Sequence, residues 1–270
     1  MSWTNILVPL TGGDQDATEL AAAKALAAPF GAMVTAAYSS TIPTMLFSWV
    51  NEAGVGLTDL GVRELNRLAS ASEARARDLL ARLDYPHKAL ENITADDWSD
   101  LRSVSRLADV VVWNPSAARG HGVFASAFQQ ILMDEQRPAL LLDEPPAVGG
   151  LIVIAWDGGR EASRAARRSL PWLQKADQVV VLTAPHATAR PCEPGRILRY
   201  LADNSVPAEP MVLHSNGEVG PLLANAARRL GATMLVAGAF GHPRLQRFIF
   251  GGTTQLLLES LPAPALFLSH

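Results

Sequence analysis

The sequence predicts an α/β fold made of two tandem domains, each a doubly wound parallel sheet of the Rossmann type. Continuous apolar runs alternate along the chain with helical segments, as is typical of parallel strands that helices cover on both faces. The same series of elements also occurs twice within 270 residues, a length that suits two domains of ordinary size.

The internal repeat is clearest where an apolar run ends in paired glycines. This happens at residues 6–13 (ILVPLTGG) and again at 152–159 (IVIAWDGG), each followed by a helical stretch and another apolar run. We therefore expect a first domain over residues 1–144 and a second over 150–270, with right-handed crossovers between parallel strands. The short linker predicts that the two halves pack closely.

Composition excludes several classes of protein. The net charge of −3 argues against nucleic acid or an anionic membrane surface as a main partner. The single cysteine, Cys192, permits no intramolecular disulfide and suits a reducing compartment. The first residues lack the pattern of a signal peptide, and no apolar run approaches the roughly 18 residues of a membrane span. A cytoplasmic protein is the expectation.

An apolar insert distinguishes the first half from the second. Residues 41–61 include Met45, Phe47 and Trp49, and they precede a predicted amphipathic helix over 62–83. The insert could be a lid over its own domain. It could instead present a surface for a small hydrophobic ligand or a partner protein, and the sequence leaves both interpretations open.

A glycine-rich segment of the second half is the most specific motif. It begins where the predicted strand 234–237 ends, the side of an open α/β sheet on which ligands bind. Glycines let the backbone approach phosphate oxygens, and the amides that open a following helix, predicted over 255–261, favour negative charge. Paired glycines also serve tight turns, and threonine is a common helix N-cap. The residues predicted to contact phosphates are Gly238, Gly241, His242, Arg244, Gly251, Gly252, Thr253 and Thr254.

This spacing, G-x2-G-x9-G followed by hydroxyl residues, resembles the ATP-binding motif of the universal stress protein family. The resemblance covers both halves of the chain and implies the adenine nucleotide alpha hydrolase-like fold. It also implies that ATP or AMP binds, with or without Mg²⁺. Gly252 stands where the family often has serine, so one hydroxyl is lost while the backbone donor remains.

The resemblance also implies which residues face the nucleoside. Asp157 stands at the end of the first strand of the second half, where an aspartate of the family commonly meets the adenosine. Its carboxylate could accept hydrogen bonds from ribose hydroxyls or help hold a metal, or it could instead be an N-cap for the helix that starts near Arg160. The residues that would line the adenine side are Ala155, Trp156, Thr183 and Ala184.

The first half departs from the motif at each of these positions. Asn114 and Ala117 stand in place of the two loop glycines, Thr11 replaces the aspartate, and Pro115 removes a backbone donor. We expect this half not to bind ATP in the same way, and to be a structural partner or one with an altered ligand.

The leading functional hypothesis is a stress or signalling protein whose conformation or association responds to bound nucleotide. The final strands, around 140–142 and 266–268, would pair antiparallel to form an intramolecular pseudo-dimer, and a homodimer remains open. The alternative is a nucleotide-free interaction or dimerisation module, or a binder of a small hydrophobic ligand through the insert. Catalysis would be limited to slow ATP hydrolysis, because the chain lacks a P-loop and the usual spacing of metal ligands.

Overall fold

The computed structural model of the chain describes residues 2–39, 59–93, 98–142, 144–184, 193–214, 219–239 and 264–270. The strands in these ranges are β1 (Asn5–Leu10), β2 (Met33–Ser39), β3 (Lys88–Ile93), β4 (Val110–Trp113), β5 (Ala139–Leu141), β6 (Leu151–Ala155), β7 (Gln178–Thr183), β8 (Ala208–Val212), β9 (Met234–Gly238) and β10 (Ala265–Ser269). The helices are α1 (Asp16–Ala27), α2 (Asp59–Arg82), α3 (Ser99–Ser105), α4 (Pro115–Ala118), α5 (Ala125–Met133), α6 (Arg160–Leu173), α7 (Gly195–Asp203) and α8 (Val219–Arg229), with a short 3₁₀ turn at Ala28–Phe30.

The described strands form one sheet of ten, in the order β3-β2-β1-β4-β5-β10-β9-β6-β7-β8. Strands β1–β5 and β6–β10 follow the same relative order, and neighbours within each set run parallel. The predicted fold class is thus confirmed. Three of the strands predicted from apolar runs, β1, β6 and β9, lie where the sequence placed them.

The two halves join through β5 and β10, which are the one antiparallel pair among the described strands. Leu141 pairs with Leu266, and Leu140 pairs with Phe267. The antiparallel pairing expected of the final strands is therefore present within this one chain. It makes the sheet continuous from one half to the other.

Aromatic packing reinforces this junction on one face of the sheet. The Trp3 ring stacks on Trp172 and on Phe267, with ring centroids 5.9 Å and 6.2 Å apart, and it meets Phe30 edge-on. The Trp3 indole N–H donates a hydrogen bond to the carbonyl of Arg168 at 3.1 Å. Residues from both halves thus share one core, in agreement with the close packing that the short linker predicts.

The long amphipathic helix of the first half differs from the predicted one only at its ends. The helix predicted over 62–83 is α2, Asp59–Arg82, so its first turn uses residues assigned to the insert. The rest of the insert, and the helix predicted over 255–261, lie outside the described residues. None of the described helices is long and apolar enough to cross a membrane.

Candidate functional site

The candidate site of the second half lies at the carboxyl ends of β6, β7 and β9. Strand β6 is central, because Ala155 pairs with Leu182 on one side and Ile154 pairs with Val236 on the other. Strand order reverses between β9 and β6, which is where open α/β sheets bind ligands. The sheet therefore brings the segments that begin with Trp156, Ala184 and Gly238 to one edge.

Asp157 is exposed in the turn between β6 and α6. Its Oδ1 accepts a hydrogen bond from the backbone N–H of Gly159 at 2.7 Å. The N-cap residue of α6 is Gly159, so the N-cap alternative for Asp157 was wrong: the carboxylate caps the turn before the helix instead. That bond uses one carboxylate oxygen and leaves the side chain at the surface of the site.

Ala155, Trp156, Thr183 and Ala184 lie at the carboxyl ends of β6 and β7, near Asp157. The Trp156 backbone N–H donates to the Leu182 carbonyl at 2.8 Å, and its half-buried indole packs against the core. Its Nε1 is buried and has no hydrogen-bond partner among the described residues. The Thr183 side chain is buried, and its carbonyl already accepts a hydrogen bond from Leu213 at 2.8 Å. Ala184, the residue after Thr183, is half-buried.

Gly238 lies against the first turn of α6. A Cβ placed on Gly238 would lie 2.5 Å from the backbone nitrogen of Ala162 and 2.7 Å from the carbonyl carbon of Glu161. Real Cβ atoms do not approach that closely, so glycine is needed here for strand and helix to pack. The sequence predicted that Gly238 contacts phosphate. In the structure, its lack of a side chain allows β9 to pack against α6.

The backbone N–H of Ala239, the residue after Gly238, already donates a hydrogen bond within the protein. The Ala239 N–H donates to the Ser269 carbonyl at 3.0 Å, and the Ala239 carbonyl lies 3.0 Å from Nδ1 of His270. The loop is thus anchored to the end of β10 at its start. The other predicted phosphate contacts, Gly241, His242, Arg244, Gly251, Gly252, Thr253 and Thr254, lie outside the described residues.

Glu161 lies beside Gly238 and is paired with Arg160, and the sequence alone did not place either residue in the site. Glu161 is buried, and its Oε1 accepts a hydrogen bond from Nε of Arg160 at 2.8 Å and lies 2.8 Å from Nη2 of the same guanidinium as an ion pair. Burial alone would raise the pKa of Glu161, but the hydrogen bond and charge of Arg160, its own backbone N–H and the charge of His270 lower it overall. The sequence feature that could have indicated this ion pair is the adjacent basic and acidic residue just after the glycine turn. The Arg160 side chain is exposed at this edge and carries a positive charge. It forms an ion pair with Glu161.

The first half builds the corresponding edge differently. Thr11 Oγ1 accepts a hydrogen bond from the Gly13 N–H at 3.2 Å, the same turn that Asp157 caps in the second half. After β4, Asn114 is the N-cap of α4, and its Oδ1 accepts from the Ser116 N–H at 2.9 Å. Pro115 takes the first helical position, where its missing N–H costs nothing. A helix therefore begins directly where the second half has its glycine-rich segment.

No group of three or more His, Cys, Asp or Glu side chains that could hold a metal ion occurs within the described ranges. Asp157 is the one predicted site residue with a carboxylate.

Solved structures resemble the whole chain. A universal stress protein from Archaeoglobus fulgidus superposes with a TM-score of 0.69 at 14% identity, covering 99% of this chain and 96% of that one. Two chains from Pseudomonas aeruginosa, one of unknown function and one described as a candidate universal stress protein, give TM-scores of 0.56 and 0.55 at 14% and 15% identity. They cover 99% of this chain and 92% and 93% of their own lengths. No family model and no curated protein matches the sequence. The chain therefore has the fold of the universal stress proteins along its full length, as the resemblance implied.

Proposed function

We propose that the chain is a universal-stress-type protein that binds ATP or AMP in its second half, residues 150–270. Bound nucleotide would change its conformation or association, and the first half, residues 1–144, would be its partner in an intramolecular pseudo-dimer. The observation that carries the proposal is the convergence of Asp157, Ala184 and Gly238 at one sheet edge, beside the point where strand order reverses.

The chemistry of that edge suits an adenine nucleoside. Exposed Asp157 offers a carboxylate to ribose hydroxyls, and half-buried Trp156 precedes it in the chain. Small residues at Ala155 and Ala184 leave room for a flat base. The phosphates would lie toward the start of α6 and the glycine-rich segment, where backbone amides and a helix N-terminus favour negative charge. A Mg²⁺ ion, if the nucleotide brings one, would be held mainly by phosphate oxygens with Asp157 as one protein ligand.

The site supports binding more than catalysis. Among the described residues at the start of α6, the Glu161 carboxylate is already paired with Arg160. We infer that any ATP hydrolysis is slow and that bound nucleotide itself is the signal. Location in the cytoplasm remains a prediction.

The proposal is tested by identifying what the purified full-length protein carries. Mass spectrometry of the released ligand should find ATP or AMP, and added ATP should raise the melting temperature. A ligand that binds only the folded state adds about 2.7 kcal/mol at a hundredfold excess over its dissociation constant. The double variant Thr253→Val plus Thr254→Val should lose most of that gain.

A control variant distinguishes the loss of ATP binding from a general effect of changing a surface residue. Asp14→Asn removes an exposed carboxylate from the glycine turn of the first half and should leave ATP stabilisation unchanged. Protein that carries no nucleotide and gains no stability from ATP would contradict the proposal. That result would favour the nucleotide-free interaction module.

A further inference from the structure

Arginine side chains from both halves of the chain meet at one end of the junction between β5 and β10. Leu268 of β10 pairs with Ala139 of β5. Because these strands are antiparallel, the chain two residues beyond this pair brings His270 close to Arg137. Arg137 therefore belongs to the first half but lies at the carboxyl end of the last strand of the second half.

Arg168 of α6 reaches the same end of β10. Its Nη1 donates a hydrogen bond to Ser269 Oγ at 2.9 Å and another to the His270 carbonyl at 3.4 Å. The Ser269 side chain is fully buried, so these bonds hold the half-buried Arg168 guanidinium at the junction. Its Nε and Nη2 make no hydrogen bond with the residues that the structure describes, and they remain available as donors.

Arg164 and Arg167 add two more positive charges from the same helix. Residues three and four positions apart on a helix are neighbours, so Arg164 lies next to both Arg167 and Arg168. Together with Arg137, these side chains form an arginine cluster. Burial, and then the charges of the other three members, lower the pKa of Arg168 to about 10, as expected of cations held close together.

Within the described ranges, the arginine cluster has no acidic partner. None of the ion pairs there involves any of its four members. The acids nearest to the cluster along the chain are already paired with other arginines, Glu135 with Arg102 and Arg106, and Glu161 with Arg160. Like charges on neighbouring positions destabilise the folded protein, and a bound anion would remove that cost.

The fold itself does not require the arginine cluster. When the glycine turns of the two halves are aligned, Thr18, Ala21 and Ala22 of α1 stand where α6 has its three arginines. When the prolines before the final strands are aligned, Ala263 stands where the first half has Arg137. The corresponding end of the junction is thus built without these charges, so the cluster needs another explanation than folding.

We propose that the arginine cluster binds an oligophosphate, a chain of two or more phosphate groups. A terminal phosphate presents three acceptor oxygens and can pair with two guanidinium groups at once, whereas a carboxylate has two oxygens and matches one. The bound chain contacts Arg137 of the first half and Arg164 and Arg168 of the second, so it also stabilises the junction. This site does not use the residues proposed to bind the nucleotide and does not depend on them.

The test is isothermal titration of the full-length protein, purified free of nucleotide, with inorganic tripolyphosphate as the probe. We expect saturable binding that weakens as salt is added, because partly exposed charges are screened. Citrate, which carries carboxylates in place of phosphates, should bind about tenfold more weakly. No binding of tripolyphosphate, or tighter binding of citrate, would overturn the proposal.

Variants assign the binding to the arginine cluster. Arg164→Gln removes a side chain that makes no hydrogen bond or ion pair with the described residues, so the protein should still fold. It should weaken tripolyphosphate binding about tenfold, the usual effect of losing a charge-assisted hydrogen bond. Arg75→Gln makes the same change at an exposed position of α2 and should leave the affinity as in the wild type. Equal affinity of Arg164→Gln and Arg75→Gln would overturn the proposal.

A last variant distinguishes a free oligophosphate from the phosphate tail of a nucleotide, which has the same chemistry. The double variant Thr253→Val plus Thr254→Val changes the glycine-rich segment and leaves the arginine cluster intact. It should bind tripolyphosphate as the wild type does, even where ATP binding is lost. Loss of tripolyphosphate binding in this variant would place the probe in the proposed nucleotide site and overturn the proposal of a separate one.

Discussion

Gly238 at the end of β9 and Ala162 in the first turn of α6 are so close that a Cβ on Gly238 would lie 2.5 Å from the Ala162 nitrogen. Strand and helix can meet in this way only because the strand residue has no side chain. The contact fixes the start of α6 over the sheet edge on which Asp157 also lies. A glycine that resembles part of a nucleotide motif is therefore first a condition for packing.

Gly238→Ala should consequently destabilise the protein whether or not nucleotide is present. The neighbouring atoms are backbone and cannot move aside cheaply, so we expect a loss of about 1–3 kcal/mol in the free energy of unfolding. Urea denaturation without ligand measures it. Gly195→Ala is the matched control, because nothing lies within 4 Å of the new Cβ at the start of α7, and it should be neutral or slightly stabilising. Equal stability of the two variants would show that the close contact is not present.

Two substitutions at Asp157 should distinguish its role in capping the turn from its role in ligand binding. Asp157→Asn keeps an oxygen that can accept from the Gly159 N–H, so stability should change by less than about 0.5 kcal/mol. Asp157→Ala removes that acceptor and should cost about 0.5–2 kcal/mol. Both variants should bind ATP more weakly in calorimetric titrations. Unchanged ATP affinity in both would reduce Asp157 to a turn residue.

Glu19 should make the protein less stable as the pH rises. Its pKa is raised from 4.5 to about 8 in the folded state, so the folded protein holds a proton that the unfolded chain has released. The free energy of unfolding therefore falls from about pH 4.5 upward, and the full penalty is present above pH 8. Between pH 6.5 and 8.5 the loss from Glu19 is about 2 kcal/mol, given about 1.4 kcal/mol for each pKa unit.

Urea denaturation of wild type and Glu19→Gln across that range measures this effect. The difference between the two proteins should grow with pH, with the variant more stable at pH 8.5. Asp16, whose pKa is also raised by burial, acts in the same direction. A constant difference from pH 6.5 to 8.5 would mean that Glu19 does not titrate there.

Trp3 should be one of the larger single contributors to the junction between the halves. Trp3→Ala removes the stacking on Trp172 and Phe267 and the hydrogen bond to Arg168, so we expect a loss of about 3–5 kcal/mol. Chemical denaturation provides the measurement. Leu107→Ala, at a side chain that is 83% exposed, should change stability by less than about 0.5 kcal/mol. A small effect of Trp3→Ala would mean that the strand pairing alone holds the halves together.

The sequence predicted the central strands well, because their burial on both faces makes them continuous apolar runs. Residues 6–10 and 152–155 are of this kind and lie in β1 and β6. The edge strands β3 and β8 are largely exposed and carry polar residues, Glu91 and Glu209 among them, so no apolar run marked them. Local pattern could not distinguish them from loops.

The site was predicted only in part, for a different physical reason. Position along the chain was enough to place Asp157 and Gly238 at one sheet edge, since carboxyl ends of parallel strands share an edge. Polar residues are ordinarily exposed, so nothing in the sequence indicated that Asp16 and Glu19 are buried. Asp16 is buried in a local contact, in which its carboxylate caps the glycine turn that precedes its own helix.

Isothermal titration of the full-length protein with ATP tests the central claim most directly. The account predicts saturable binding of one nucleotide per chain, lost in Thr253→Val plus Thr254→Val and weakened in Asp157→Asn. Binding of two nucleotides per chain, or no binding by protein shown to be free of ligand, would contradict it.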